Sequence, residues 1–234
     1  MIWLLHGNLG TPADWKPIMN ILHTAGLQTR ALNLWKYLEC CPKSLTEMGH
    51  LLCSEIALQD KHPFLCGYSL GGRLAMHAVL AHPLLWKGVL FISANPGLEN
   101  ETEKAERRTK DAEWAVQCLS GNWEDFLTNW DSQNVLKGSP PATNRNSLRS
   151  WRKSISRAFI DWSVGAQQNL APLLKQSPIP MLWLAGEKDA KFCALARFMA
   201  GENAVIIPNA GHRLLLDAPE LLADYLQRFI CQES

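Results

Sequence analysis

Gly67-Tyr68-Ser69-Leu70-Gly71-Gly72 follows the apolar run Pro63–Cys66 and precedes Leu70–Ala81, a stretch with helical spacing. Strand, tight turn and helix in that order, with a serine at the tip of the turn, are the context of a nucleophile elbow. Glycines suit such a turn because side chains there would clash. The turn lifts Ser69 above the sheet, and the first amides of the following helix face any negative charge that develops beside it.

Working outward, short apolar runs recur on both sides of this turn. They are Ile2–Leu5, Gln28–Leu34, Gly88–Ser93, Met181–Ala185 and Ala204–Ile207. Helical patterns lie between them, at Ala13–Ala25 after Thr11-Pro12, at Ser44–Asp60 and at Pro219–Phe229. Ser44 with Glu47 has the spacing of a capping box. Alternating strands and helices predict an α/β chain with a mostly parallel sheet of about six strands and helices on both faces. Strands that are apolar throughout, rather than alternating, agree with burial on both sides. The stretch from about 96 to 171 breaks the rhythm. It is rich in Glu, Arg, Trp and Asn, carries helical spacing and a Pro140-Pro141 turn, and reads as a helical cap inserted into one domain spanning 1–234.

Composition narrows the function. The 234 residues carry a formal net charge of +1 and are 47% hydrophobic, so no global field draws nucleic acid. No apolar run is long enough to span a bilayer, and Met1–Gly7 lacks the basic flank of a signal peptide. Seven cysteines without a Cys-x-x-Cys spacing suggest neither a disulfide framework nor a metal site. They fit a reducing, cytoplasmic compartment. Of the ten tryptophans, Trp114, Trp123, Trp130, Trp151 and Trp162 cluster in the cap, where packing is the main expectation and lining a pocket the second.

Three further turns complete a catalytic pattern. His6-Gly7-Asn8-Leu9-Gly10 leaves the first strand, where the backbone N–H of Asn8 can join that of Leu70 as an oxyanion hole. Gly186-Glu187-Lys188-Asp189 leaves the strand Met181–Ala185, and Asn209-Ala210-Gly211-His212 follows the strand Ala204–Ile207. The order Ser69…Asp189…His212 is that of α/β-hydrolase triads, and all three stand at carboxyl ends of predicted strands. His23, His50, His62, His77 and His82 lack such placement and read as structural.

At this point the chain resembles the 2-succinyl-6-hydroxy-2,4-cyclohexadiene-1-carboxylate synthases of menaquinone and phylloquinone biosynthesis. The resemblance runs through Gly67–Arg73, including the elbow arginine, and through Asn95-Pro96-Gly97-Leu98 followed by Glu103–Arg107, Asp111 and Trp114. It continues in Phe126–Trp130, Gly165-Ala166-Gln167 and Gly186–Phe192, and so covers nearly the whole chain. It implies an α/β-hydrolase fold, no cofactor and no metal; against that fold, the chain is expected to lack the usual leading strands, since it opens on the His-Gly strand. It implies a lyase that eliminates pyruvate from a small polyanionic cyclohexene carboxylate. Arginines would hold the carboxylates: Arg73 and Arg107 match by motif, and Arg149 is the choice for a third, with Arg145 and Arg152 close by. Tyr68 and Trp130 would line the pocket. Planar guanidinium groups suit carboxylates, and residues 132–160 hold six basic side chains and no acidic one. One departure is Asn33–Leu38, which stands where relatives carry Leu-Pro-Gly-His-Gly. The alternative is a serine esterase or thioesterase, which would run acyl transfer on the same residues.

Overall fold

The computed structural model describes residues 1–140, 142 and 145–233. The Pro140-Pro141 turn reaches Pro141, which lies outside the described residues. Six strands form one parallel sheet in the order β2-β1-β3-β4-β5-β6. They are β1 (Ile2–Leu5), β2 (Thr29–Leu32), β3 (Phe64–Tyr68), β4 (Gly88–Ile92), β5 (Met181–Gly186) and β6 (Val205–Ile207). β1, β3 and β4 are apolar at nearly every position because both of their faces are covered. Alternate residues serve opposite layers. Trp3, Leu5, Leu65, Val89, Phe91 and Trp183 pack on one face with α2 (Leu45–Ala57), α3 (Leu70–Ala81) and α8 (Ala190–Ala200). Ile2, Leu4, Phe64, Cys66, Leu90, Ile92 and Leu184 pack on the other with α1 (Lys16–Thr24) and α10 (Pro219–Gln232).

Local chemistry sets the element ends. Ser44 caps α2 by the expected reciprocal pair: its Oγ accepts from Glu47 N–H at 3.2 Å, and the Glu47 carboxylate accepts from Ser44 N–H at 2.7 Å. The first helix starts later than its sequence pattern. Pro12–Trp15 form a 3₁₀ turn, and α1 begins at Lys16 with Pro17 in its first turn.

Between β4 and β5 the chain makes a helical excursion. It comprises α4 (Glu101–Ser120), α5 (Trp123–Asp131) and α6 (Arg152–Asp161), with α4 packed along α6; α7 (Ala171–Lys175) follows it on the way to β5. Asn100 and Asn122 cap α4 and α5 by accepting two amide hydrogens each. The excursion closes on itself at a neck, where Leu170 N–H donates to Pro96 O at 2.8 Å and Gln167 Nε2 donates to Asn95 O at 3.3 Å. α9 (Leu214–Asp217) is a single turn just before α10.

The strand order reverses between β1 and β3. A crevice at the carboxyl ends of strands is expected at such a switch point, and the elbow and the His6 turn both open there. Among the described residues no helix is long and apolar enough to cross a membrane, and no group of three or more His, Cys, Asp or Glu side chains could hold a metal.

Candidate active site

Ser69 stands between β3 and α3 with φ 51° and ψ −109°, a conformation that side chains rarely adopt. It is held there from both sides. Its N–H donates to Ile92 O at 2.8 Å, and its carbonyl accepts from Arg73 N–H at 3.2 Å. The elbow glycines are required by contact. A Cβ on Gly67 would lie 2.4 Å from Gly71 O, and one on Gly71 would lie 2.3 Å from Leu5 O.

The acid and the imidazole arrive on the loops after β5 and β6. Asp189 ends a turn whose amides bond back to Gly186 O and Ala210 O. Asn209 takes φ 60° while its N–H donates to the Glu187 carboxylate, which bends the chain back toward the elbow. His212 Nδ1 then lies 2.7 Å from Asp189 Oδ2, and His212 Nε2 lies 3.2 Å from Ser69 Oγ. An ionised carboxylate can only accept, so Nδ1 carries the hydrogen and Nε2 is left to take a proton from the serine. Both Asp189 and His212 are buried, with the rings of Phe192 and Tyr68 at 4.7 and 5.6 Å from the imidazole.

His6 shapes the turn after β1. Its Nδ1–H donates to Gly7 O at 2.9 Å, and its Nε2 accepts from Leu34 N–H at 3.1 Å. Complete burial pushes its pKa down to about 4, so it stays neutral and keeps both bonds. Trp35 Nε1–H donates to Gly10 O at 2.8 Å and braces the far side of the turn. The divergent segment Asn33–Leu38 therefore forms a buried 3₁₀ turn that holds the Asn8 loop. The Leu70 amide is in the first turn of α3, where N–H groups have no intrahelical acceptor. Ser69 is bordered by Asn8 on one side and followed by Leu70 on the other.

Two chambers meet at Ser69. One is bordered by Arg73, Arg107, Ser93, Asn95 and Phe192, with the exposed Lys191 at its edge. Arg73 is buried on α3, yet among the described residues its guanidinium donates only to neutral acceptors, Trp162 O at 2.6 Å and Gln167 Oε1 at 3.2 Å. Burial, then the neighbouring Arg107, lower its pKa to about 9, which still leaves it charged at neutral pH. Arg107 Nε bonds both oxygens of Asp111, at 2.8 and 2.9 Å. The second chamber is bordered by Tyr68, Trp130, Asp14, Arg145 and Arg213.

Arg149 departs from its expected place. It is exposed and borders neither chamber, because the 3₁₀ turn Arg145–Trp151 points Arg145 and Leu148 inward instead. Arg152 is also drawn away: it closes the end of α4 by donating to Cys118 O and Gly121 O, and it stacks over Trp123. Arg145 borders the second chamber and shares Asp131 with Arg213, each through charge-assisted hydrogen bonds.

Sequence reasoning assigned no site role to Ser93, Lys191 or Arg213, although Lys191 lies in the Gly186–Phe192 stretch that carries the resemblance. Lys191 left a signal, since a cation in the first turn of a helix opposes the dipole. Arg213 left none beyond standing next to His212. The tryptophans divide as the composition suggested. Trp123 and Trp162 are fully buried, and Trp130 both packs on Trp114 and Phe159 and borders a chamber.

The model of the alpha/beta hydrolase family matches residues 4–225. The 2-succinyl-6-hydroxy-2,4-cyclohexadiene-1-carboxylate synthase of Photorhabdus laumondii is 32% identical over 91% of this chain and 78% of its own length. That of Serratia proteamaculans is 31% identical over 98% of this chain and 92% of its own. Among solved structures, MenH from S. aureus superposes with a TM-score of 0.89 at 24% identity, over 99% of this chain and 93% of that one. An esterase from Thermogutta terrifontis gives 0.72 at 19%, over 99% and 89%. A likeness in fold thus extends to ester hydrolases, whereas these relatives are alike in sequence along most of the chain, and the chain belongs to the alpha/beta hydrolase family and, within it, to the 2-succinyl-6-hydroxy-2,4-cyclohexadiene-1-carboxylate synthases.

Proposed function

We propose that Ser69, His212 and Asp189 are the base of a lyase that converts 2-succinyl-5-enolpyruvyl-6-hydroxy-3-cyclohexene-1-carboxylate to 2-succinyl-6-hydroxy-2,4-cyclohexadiene-1-carboxylate and pyruvate, a step of menaquinone or phylloquinone biosynthesis. The observation that carries this reading is the chamber beside Ser69 with a buried guanidinium, Arg73, bonded among the described residues only to neutral groups. An ester pocket has little use for a buried cation. A polyanion supplies the missing counter-charge, and Arg is the side chain that binds a carboxylate in two places at once.

The two ring names fix the bond changes. The ring proton at C2, beside the succinyl ketone, is removed. A C2=C3 bond forms, the C3=C4 pair moves to C4=C5, and the C5–O bond breaks to release enolpyruvate, which takes up a proton to become pyruvate. His212, oriented by Asp189, draws the proton from Ser69, and Ser69 acts as base on C2. The Asn8 and Leu70 amides stabilise the enolate oxygen of the ketone, and no acyl-enzyme forms. Arg73 and Arg107 hold carboxylates on one side of Ser69; Arg145, beside Tyr68 and Trp130, does so on the other. The seven unpaired cysteines fit a cytoplasmic enzyme.

The test is pyruvate release by the purified protein from the cyclohexene substrate, followed with lactate dehydrogenase. Wild type is expected to release it, Ser69→Ala to lose about 10³-fold or more, and Arg73→Ala to raise KM for this polyanion. Turnover of simple esters without pyruvate formation would overturn the reading.

A further inference from the structure

Ser93 follows β4 and faces the same chamber as Ser69 and Arg73. Three features of it are costly together. Its backbone is at φ 46°, a region where glycine is the residue without steric penalty. It is only 1% exposed. Its Oγ has no hydrogen-bond partner among the described residues. A buried hydroxyl without a partner is unfavourable, and a non-glycine residue in this conformation is strained. Glycine would remove both penalties and leave the backbone bond from Ser93 N–H to Leu184 O, 2.8 Å, unchanged. What serine adds is one rotatable O–H in the wall of a cavity whose cations are Arg73, Arg107 and Lys191.

Resting on the lyase reading, we propose that Ser93 is a substrate-binding residue: its hydroxyl donates to a substrate carboxylate that Arg73 holds. The backbone strain persists whatever the chamber holds, and a bound carboxylate supplies the Ser93 hydroxyl with the acceptor that no described protein group provides. An occupant matched to the site must present an acceptor to Ser93 and negative charge to Arg73, and a carboxylate does both with its two oxygens. A neutral carbonyl satisfies the hydroxyl but leaves the guanidinium without its counter-charge.

Two variants test this. Ser93→Ala removes the hydroxyl and keeps the strain, whereas Ser93→Gly removes both. Both are expected to lower kcat/KM for pyruvate release about tenfold or more, the range for a hydrogen bond to a charged group. Both should weaken binding of succinate or pyruvate by a similar factor in a calorimetric titration. Ser93→Gly is expected to melt at or above the wild-type temperature. If both variants keep kcat/KM and carboxylate binding within twofold of wild type, the proposal is wrong. It is also wrong if affinity falls only in step with melting temperature, because Ser93 would then be a packing residue. Should wild type release no pyruvate, the lyase reading falls, and the succinate and pyruvate titrations still decide the role of Ser93.

Discussion

Ser69 holds a backbone conformation that few residues tolerate, and its neighbours lack side chains so that it can keep one. Gly71 is the tightest of them, with Leu5 O 2.3 Å from where a Cβ would stand. Backbone cannot yield as a flexible side chain can, so Gly71→Ala is expected to cost about 3 kcal/mol or to prevent folding. Urea denaturation, read through the buried tryptophans, checks it. At this scale the triad was legible in the sequence because each member follows a strand and the three come in a known order. Ser93 and Arg213 were not. Their meaning comes from a dihedral angle, a missing partner and a neighbour 82 positions away in the chain, Asp131. Arg149 was misplaced for a related reason: a run of basic residues does not say which ones a 3₁₀ turn aims inward, and Arg145 took the inner position.

Among elements, the excursion between β4 and β5 grips the loop that carries His212. Asp131, at the end of α5, binds Arg213 on one flank of the histidine. On the other flank Gly211 N–H donates to Asp217 at 2.8 Å, and Ser139 Oγ donates to the same carboxylate at 2.5 Å. Removing Asp131 loosens this grip and leaves Arg145 and Arg213 without their shared counter-charge. Asp131→Ala is therefore expected to lower kcat about tenfold, the cost of losing one charge-assisted contact. KM should stay level or fall, because the freed guanidinium groups attract a polyanion. Asp131→Glu should recover part of kcat. Steady-state pyruvate release separates the two constants, and an unchanged kcat in Asp131→Ala would show that the grip is idle. The helical character of the excursion was legible from its spacing, whereas its Asn100 and Asn122 caps emerged only with the structure. Its hold on the His212 loop was not legible, since it joins side chains remote in sequence.

For the molecule as a whole, two buried imidazoles link stability to acid. Burial pushes the pKa of both His6 and His77 down to about 4, with Arg73 adding to the effect on His77. In the unfolded chain each binds a proton near pH 6.5. Between these values the unfolded state holds more protons, so stability falls as pH drops from about 6.5 to about 4. Each histidine contributes on the order of 3 kcal/mol to that loss. Urea midpoints measured across this range should trace it, and His77→Gln should remove up to half of the slope attributable to the pair. The sheet itself was the most legible part of the structure. Apolar runs between turn residues marked the inner strands most clearly, because a strand covered on both faces leaves few positions for polar residues; edge strand β2 is only partly buried and carries Thr29 and Arg30. The start of the first helix was the weaker reading, since Pro12 favours a 3₁₀ turn as readily as an α-helix.

The bond from Leu170 to Pro96 means that the excursion leaves and returns at almost one point. A detour tied off in this way can change length between its helices without pulling on the strands beneath. Positions that reach down to the loops below, Asp131 and Ser139 among them, are held by those contacts and are not free to change. Room for altered substrate preference lies in the remaining positions of the excursion.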